Sequence, residues 1–334
     1  MVVKQEREAE FYLKAEDQSV ICMLCPQTCR LEVGERGICR GRRNIGGKLV
    51  AVNYGLCTGI ALDPIEKKPL YHFHPGSLIV SLGPNSCNLS CFFCQNFGIS
   101  QTDHPTRYIS PGDLAEVVAG NCPPNRKQVA FTYTEPLTWF EYITDFADQA
   151  PDTDIVLVTN GFVNPKPLEA LLPRVKAMNI DLKAMDDEFY RQSCGGSVEP
   201  VLRTIETAWK AGVHVEVTNL LIPGLNDSRS QIQKLVDYLA ELDAHIPLHF
   251  SAYHPDYKAS IGPTPVSTVL MACEMASQRI KHVYAGNVPG KGFGETLCPN
   301  CHRIVIDAGR RVRGLDGSGR CAGCGTDIYG RFGA

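Results

Sequence analysis

The chain has 334 residues, 44% hydrophobic and 21% charged, which is enough length and apolar content for a full core. Its 33 basic and 36 acidic residues leave a net charge of -3, which argues against a general affinity for nucleic acid or an anionic membrane surface. No apolar run reaches the roughly 20 residues that span a bilayer.

The opening, MVVKQEREAEFYLK, is charged and mixed. It lacks the apolar stretch of a signal peptide, so a cytoplasmic protein is expected. Fifteen cysteines are the anomaly. In a reducing cytosol, metal thiolates explain them better than disulfides. The first group, Cys22, Cys25, Cys29 and Cys39, has an irregular spacing that suits zinc or an auxiliary iron–sulfur cluster. The basic run Arg36, Arg40, Arg42 and Arg43 beside it reads as a solvated face or a contact with an acidic partner. His72 and His74 follow, as either site residues or hydrogen-bonded structural ones.

From residue 78 the chain alternates apolar runs with stretches of helical length. The runs Leu78–Leu82, Val129–Tyr133, Ile155–Thr159, Val175–Leu182, His214–Leu221 and Leu248–Ala252 read as strands. Pro111–Ala119, Leu137–Ala150, Val201–Ala211 and Ser228–Leu242 read as helices, with starts at Ser110-Pro111 and Asp227. Continuous apolar strands alternating with helices predict an α/β fold with a parallel sheet, doubly wound or a partial barrel, the six repeats favouring the barrel. In either, a site sits at the carboxyl ends of the strands. Polar residues collect there: Gly83-Pro84-Asn85, Thr134-Glu135-Pro136, Thr159-Asn160-Gly161, Asp181 with Lys183, and Tyr253-His254-Pro255. Recurrence at five such ends favours a shared site over separate turns.

Cys87, Cys91 and Cys94 follow the first core strand in the pattern C-x3-C-x2-C. Three thiolates within eight residues can reach three irons of a cubane, which is usually held by four cysteines. The missing fourth ligand leaves one iron open, much as catalytic zinc keeps a free position. The alternative is a zinc site completed by His72, His74 or His104. Cys57, Cys122, Cys194 and Cys273 stand alone and read as small buried hydrophobes.

The tail carries two C-x2-C knuckles, Cys298 with Cys301 and Cys321 with Cys324. That spacing matches a structural zinc site, with an auxiliary cluster as the alternative. A short polar segment cannot build its own core, and a metal supplies the missing folding energy. Arg310, Arg311, Arg313 and Arg320 read as a solvated face, and no nucleic-acid partner is expected. The resulting division is a Cys-rich module with lead-in over 1–75, a core over 76–290 and a zinc-ribbon-like module over 291–334.

The C-x3-C-x2-C loop after the first strand of an α/β repeat resembles the radical S-adenosylmethionine (SAM) superfamily. That resemblance implies a partial (β/α)6 barrel and a [4Fe-4S] cluster whose open iron chelates SAM. Reduction of the cluster then cleaves SAM to methionine and a 5′-deoxyadenosyl radical that takes hydrogen from a substrate. It also implies an electron donor such as flavodoxin or ferredoxin. Tyr133-Thr134-Glu135-Pro136 resembles the superfamily's Gly-Gly-Glu-Pro motif, with Glu135 as partner of the SAM amino group. Asn160, Asp181, Lys183 and His254 fall in segments similar to those around SAM in glycyl-radical-enzyme (pyruvate formate-lyase) activating enzymes. Val158 stands where those activases carry an Asp of a monovalent-cation site. The run Asp63–Phe73, the flanking cysteine sets, Cys94-Gln95-Asn96 and Tyr284-Ala285-Gly286-Asn287 are more narrowly similar to the radical SAM enzymes of the AmmeMemoRadiSam system. That resemblance implies AMMECR-type and Memo-like partners. The functional expectation is SAM cleavage for an unknown substrate, with glycyl-radical activation of a partner as the alternative.

Overall fold

A computed structural model of the chain describes residues 7–288 and 292–333. The first six residues, part of the opening read as leaderless, and residue 290, the expected end of the core, lie outside the described residues.

Among the described residues, nine strands make the main sheet. In chain order they are β1 (Leu56–Pro64), β2 (Leu78–Pro84), β3 (Arg107–Tyr108), β4 (Gln128–Phe131), β5 (Asp154–Thr159), β6 (Val175–Asp181), β7 (His214–Leu221), β8 (Leu248–Ala252) and β9 (Val283–Gly286). Their spatial order is β9-β8-β7-β6-β5-β4-β2-β1-β3. From β2 through β4 to β9 every neighbouring pair is parallel, and spatial order follows chain order without reversal. A doubly wound sheet needs a reversal. Without one, right-handed crossovers put every helix on the same face, and the sheet curls into a partial barrel. The circle stays open because β1 runs antiparallel to β2 and carries β3 at the edge. The sequence expectation of six parallel strands is exceeded by β9, a run of only four residues. β1, grouped by sequence with the N-terminal module, is hydrogen-bonded into the main sheet.

The outer helices are α1 (Pro111–Asn121), α2 (Phe140–Gln149), α3 (Pro165–Leu171), α4 (Glu199–Lys210), α5 (Arg229–Asp243) and α6 (Val266–Ala276). Ser110 and Asp113 form a capping box at α1, with Pro111 in the first turn. α5 is capped by the Ser228 hydroxyl, which accepts from the Gln231 N–H, one residue later than the start expected at Asp227. α4 buries Val201, Ile205 and Ala208, the spacing of one helical face.

The inner face is filled from within the chain. Ile65, Leu70 and Phe73 are fully buried against Ile79, Ala130, Val156 and Ala177 of β2, β4, β5 and β6. Residues 65–73 therefore plug the barrel. Beyond a single turn at Ile65–Lys67 the plug has no regular structure, so its backbone groups need side-chain partners. Asn179 Nδ2 donates to the Pro69 carbonyl at 2.8 Å. The N–H groups of Tyr71 and His72 donate to the Glu216 carboxylate at 3.0 and 2.8 Å.

The N-terminal residues add a three-stranded antiparallel sheet (Tyr12–Lys14, Val20–Cys22, Arg30–Leu31) and a hairpin (Arg42–Ile45, Lys48–Ala51). Buried Arg42 meets buried Glu141 of α2 at 2.7 Å. The tail forms a small core of Cys298, Val305, Ile306, Cys321 and Ile328. It docks at the amino ends of the strands. Tyr329 stacks on His214 at 4.8 Å between ring centroids, and Arg331 exchanges backbone hydrogen bonds with His72 and His74. Among the described residues no helix is long and apolar enough to cross a membrane.

Candidate functional site

The loop after β2 lies over the carboxyl ends of the strands. Gly83 permits the close pairing that launches it, since a Cβ there would stand 2.0 Å from the Thr132 carbonyl oxygen. The loop is tied down along its length. Ser90 N–H donates to the Cys194 carbonyl at 2.8 Å and Phe92 N–H to the Ser193 carbonyl at 3.1 Å. Gln27 of the N-terminal module donates to the Asn88 carbonyl at 2.9 Å.

A cavity of about 300 Å³ opens under this loop, within the range of small-molecule sites. Cys87, Cys91 and Cys94 line it together with Thr134 beyond β4, Asn160 beyond β5, and Asp181 and Lys183 at the end of β6. Asn160 Nδ2 lies 3.8 Å from Cys87 Sγ and donates to Asn88 Oδ1 at 2.9 Å. Cys94 Sγ is 3.1 Å from Ser100 Oγ. Burial pushes the Cys87 and Cys94 thiols up. Cys91 is instead held below the usual thiol range by a hydrogen bond with Cys194, although burial opposes it. Lys183 Nζ sits 2.9 Å from Asp181 Oδ2. Burial works against its charge, but Asp181 and the Cys91 sulfur outweigh it and hold the ammonium charged. Three soft thiol donors on one wall, with space and both signs of charge beside them, suit a cubane with one open iron and a zwitterionic ligand.

Two residues expected at this site do not line its wall. Glu135 is fully buried and does not line the cavity. Its Oε1 accepts from Leu137 N–H at 2.9 Å and Thr159 Oγ1 at 2.7 Å, and its Oε2 accepts from Asn160 N–H at 2.8 Å. Its carboxylate thus orders the turn that presents Asn160. Desolvation pushes its carboxyl up to about 7. His254 is exposed and also lies off the cavity wall. None of His72, His74 and His104 lines the cavity, so none completes a zinc site there. His72 is buried at the opposite end of the barrel between Tyr284 and the Tyr329 carbonyl.

Sequence reasoning missed three residues. Lys68, from the plug, lines the cavity and bonds Asp63 at 2.9 Å. Tyr133 reaches the same carboxylate at 2.7 Å from a left-handed backbone position, φ 69°. Glycine adopts that conformation freely, and it is a costly one for tyrosine. A glycine-like backbone therefore persists where the glycines of the motif are replaced. Cys194 was assigned to the core, and it is buried as expected but also touches Cys91.

The tail cysteines converge. Cys298 and Cys324 Sγ atoms are 3.5 Å apart, Cys301 and Cys321 are 3.6 Å apart, and all four lie within 4.8 Å of one another. Cys22, Cys25, Cys29 and Cys39 line a separate, smaller cavity.

The radical SAM superfamily model matches residues 83–239. An uncharacterised protein of Methanocaldococcus jannaschii is 42% identical over 335 residues, covering 96% of this chain and 98% of that one. A probable GTP 3′,8-cyclase of Methanococcus aeolicus is 28% identical over 179 residues, 50% of this chain and 59% of that one. The benzylsuccinate synthase activating enzyme of Thauera aromatica is 24% identical over 212 residues, 60% of this chain and 63% of that one. Residues 83–239 form a radical SAM superfamily domain. The chain is an enzyme of that class, for which a [4Fe-4S] cluster, SAM and a reductant are implied.

Proposed function

We propose that this enzyme holds its [4Fe-4S] cluster through Cys87, Cys91 and Cys94 and cleaves SAM reductively in the cavity beneath them. One observation carries the reading. The three thiols share a single cavity with Asp181 and Lys183 at the carboxyl ends of parallel strands. When bound, the cluster supplies the electron that breaks SAM into methionine and a 5′-deoxyadenosyl radical. The protein's own groups bind and orient. Lys183 and Asp181 offer a cation and an anion to the carboxylate and amino group of a zwitterion. Asn160 steadies the Cys87 sulfur, while Leu89 and Phe93 keep part of the wall dry. Thr134, with its hydroxyl bonded to the Pro84 carbonyl, completes the rim.

The run 63–73 and the two flanking cysteine sets support placement in an AmmeMemoRadiSam-type system, with AMMECR-type and Memo-like proteins as partners and flavodoxin or ferredoxin as donor. The substrate is a separate question. The match to the GTP cyclase covers only half of this chain and does not carry its substrate across. The second reading, activation of a glycyl-radical enzyme, is favoured by the similarity to the benzylsuccinate synthase activating enzyme. The tail set takes zinc in this proposal, because its sulfur spacings approach the ~3.8 Å of a tetrahedron built on Zn–S bonds of about 2.3 Å.

The test is production of 5′-deoxyadenosine after anaerobic reconstitution. Changing Cys87, Cys91 or Cys94 to Ala is expected to abolish it. Wild-type production by any of the three variants would overturn the ligand assignment.

A further inference from the structure

The N-terminal cysteines gather without closing on a point. Cys22, Cys25, Cys29 and Cys39 all line one cavity, together with Arg42 and Asn88. Among the described residues, the tail set forms the one group of three or more ligands whose atoms lie within 4.8 Å of one another. No three of the four N-terminal sulfurs meet that limit, and neither do Cys87, Cys91 and Cys94. A single zinc draws four thiolates to within ~3.8 Å of each other. A cubane binds each thiolate to a different iron and so holds them further apart.

The space between them agrees. The cavity these residues line measures about 20 Å³. Four sulfurs about 2.3 Å from one ion leave no such void.

Charge gives an independent sign. Arg42 is 1% exposed, and among the described residues its Nε, Nη1 and Nη2 make no hydrogen bond, although Nη2 lies 2.7 Å from a Glu141 oxygen. A buried guanidinium with idle donors requires an explanation. An anionic thiolate-bound cluster in the cavity it lines supplies one.

We propose that Cys22, Cys25, Cys29 and Cys39 hold a second iron–sulfur cluster, of the [4Fe-4S] class, in the cavity walled by Arg42. Asn88, which follows Cys87, lines this cavity and also bonds Asn160 at the strand-end site. The two metal sites are therefore neighbours, while their ligand sets are disjoint.

The test removes the first set and counts what stays. The full chain with Cys87, Cys91 and Cys94 all changed to Ala is purified and reconstituted anaerobically with iron and sulfide. Iron, acid-labile sulfide and zinc are assayed, and the dithionite-reduced protein is examined by electron paramagnetic resonance. About four irons and four sulfides per chain are expected to remain, with a signal from a reduced cluster. Adding Cys25→Ser and Cys39→Ser to this variant is expected to remove that iron, with far-ultraviolet circular dichroism unchanged. Less than about one iron per chain in the first variant, with or without a rise in zinc, would overturn the proposal. So would iron that survives the added serines.

Discussion

Glu135 is held behind the cavity wall by three hydrogen bonds. Its two oxygens take three donors from the turn at 159–160 and the start of the following segment. A glutamine offers one carbonyl oxygen to those three donors, and its amide nitrogen would face an N–H. Glu135→Gln is therefore expected to cost about 1–3 kcal/mol, as a buried donor loses its partner. SAM affinity is expected to fall along with stability, because Asn160 loses its anchor. Urea unfolding and calorimetry with SAM check this. Lost affinity at unchanged stability would mean that the carboxylate touches SAM directly. Its titration adds a signature. Because the folded-state value is raised to about 7 from 4.5, the stability it contributes is present below 4.5 and lost as pH rises towards 7. The always-neutral glutamine lacks that slope.

β7 carries the most demanding polar group of the elements. Glu216 is fully buried and accepts from His214 at 3.0 Å, from His249 at 2.7 Å and from two plug N–H groups. Burial alone would raise its carboxyl, but the hydrogen bonds from His214 and His249 hold it well below the usual carboxylate range. A depressed value contributes stability that is present above pH 4.5 and lost as pH falls. Glu216→Gln is expected to cost about 3–5 kcal/mol at pH 7, the price of breaking a buried charged network. The gap to wild type is expected to narrow by about 1 kcal/mol at pH 4. Urea titrations at both pH values decide, and an equal gap at each would contradict the assignment.

The elements also show what the sequence could reveal. The strands from Leu78 to Ala252 were legible because both faces of a parallel sheet are buried, so each reads as an unbroken apolar run. Of the strand-end residues, Asn160, Asp181 and Lys183 were legible because each directly follows or ends such a run. The plug was not legible. It has no period, and its backbone is satisfied by Asn179 and Glu216, more than 100 residues away. Lys68 and Tyr133 were missed for the same reason, since both are placed by Asp63 rather than by a strand. The pairing of Cys194 with Cys91 depends on a turn of π-helix at Tyr190–Cys194, which leaves no pattern in composition.

At the scale of the whole molecule, the tail carries the four convergent cysteines and also closes the lower end of the barrel. Tyr329 OH accepts from Val215 N–H at 2.9 Å, and the Arg310 guanidinium lies 3.4 Å over the Tyr71 ring. Among the described residues its own core is five buried residues, two of them cysteines, so under the proposed zinc assignment the metal supplies part of its folding energy. Cys301→Ala is expected to lower zinc by about one equivalent and leave the iron–sulfur absorbance unchanged. Limited proteolysis is expected to cut first after Glu295. A loss of several irons with zinc unchanged would instead assign a cluster to the tail.

The plug also bears on the order in which this chain can fold. Residues 65–73 leave the ribosome before β4, β5 and β6, which come to surround them, so the barrel is built around its filling. Its lower partners, Tyr329 and Arg331, come more than 250 residues later. Contacts so distant in sequence are slow to form. During synthesis, Tyr71 and His72 must wait in an open-bottomed barrel until Arg310, Tyr329 and Arg331 emerge, and the growing chain is most exposed to misassembly in that interval.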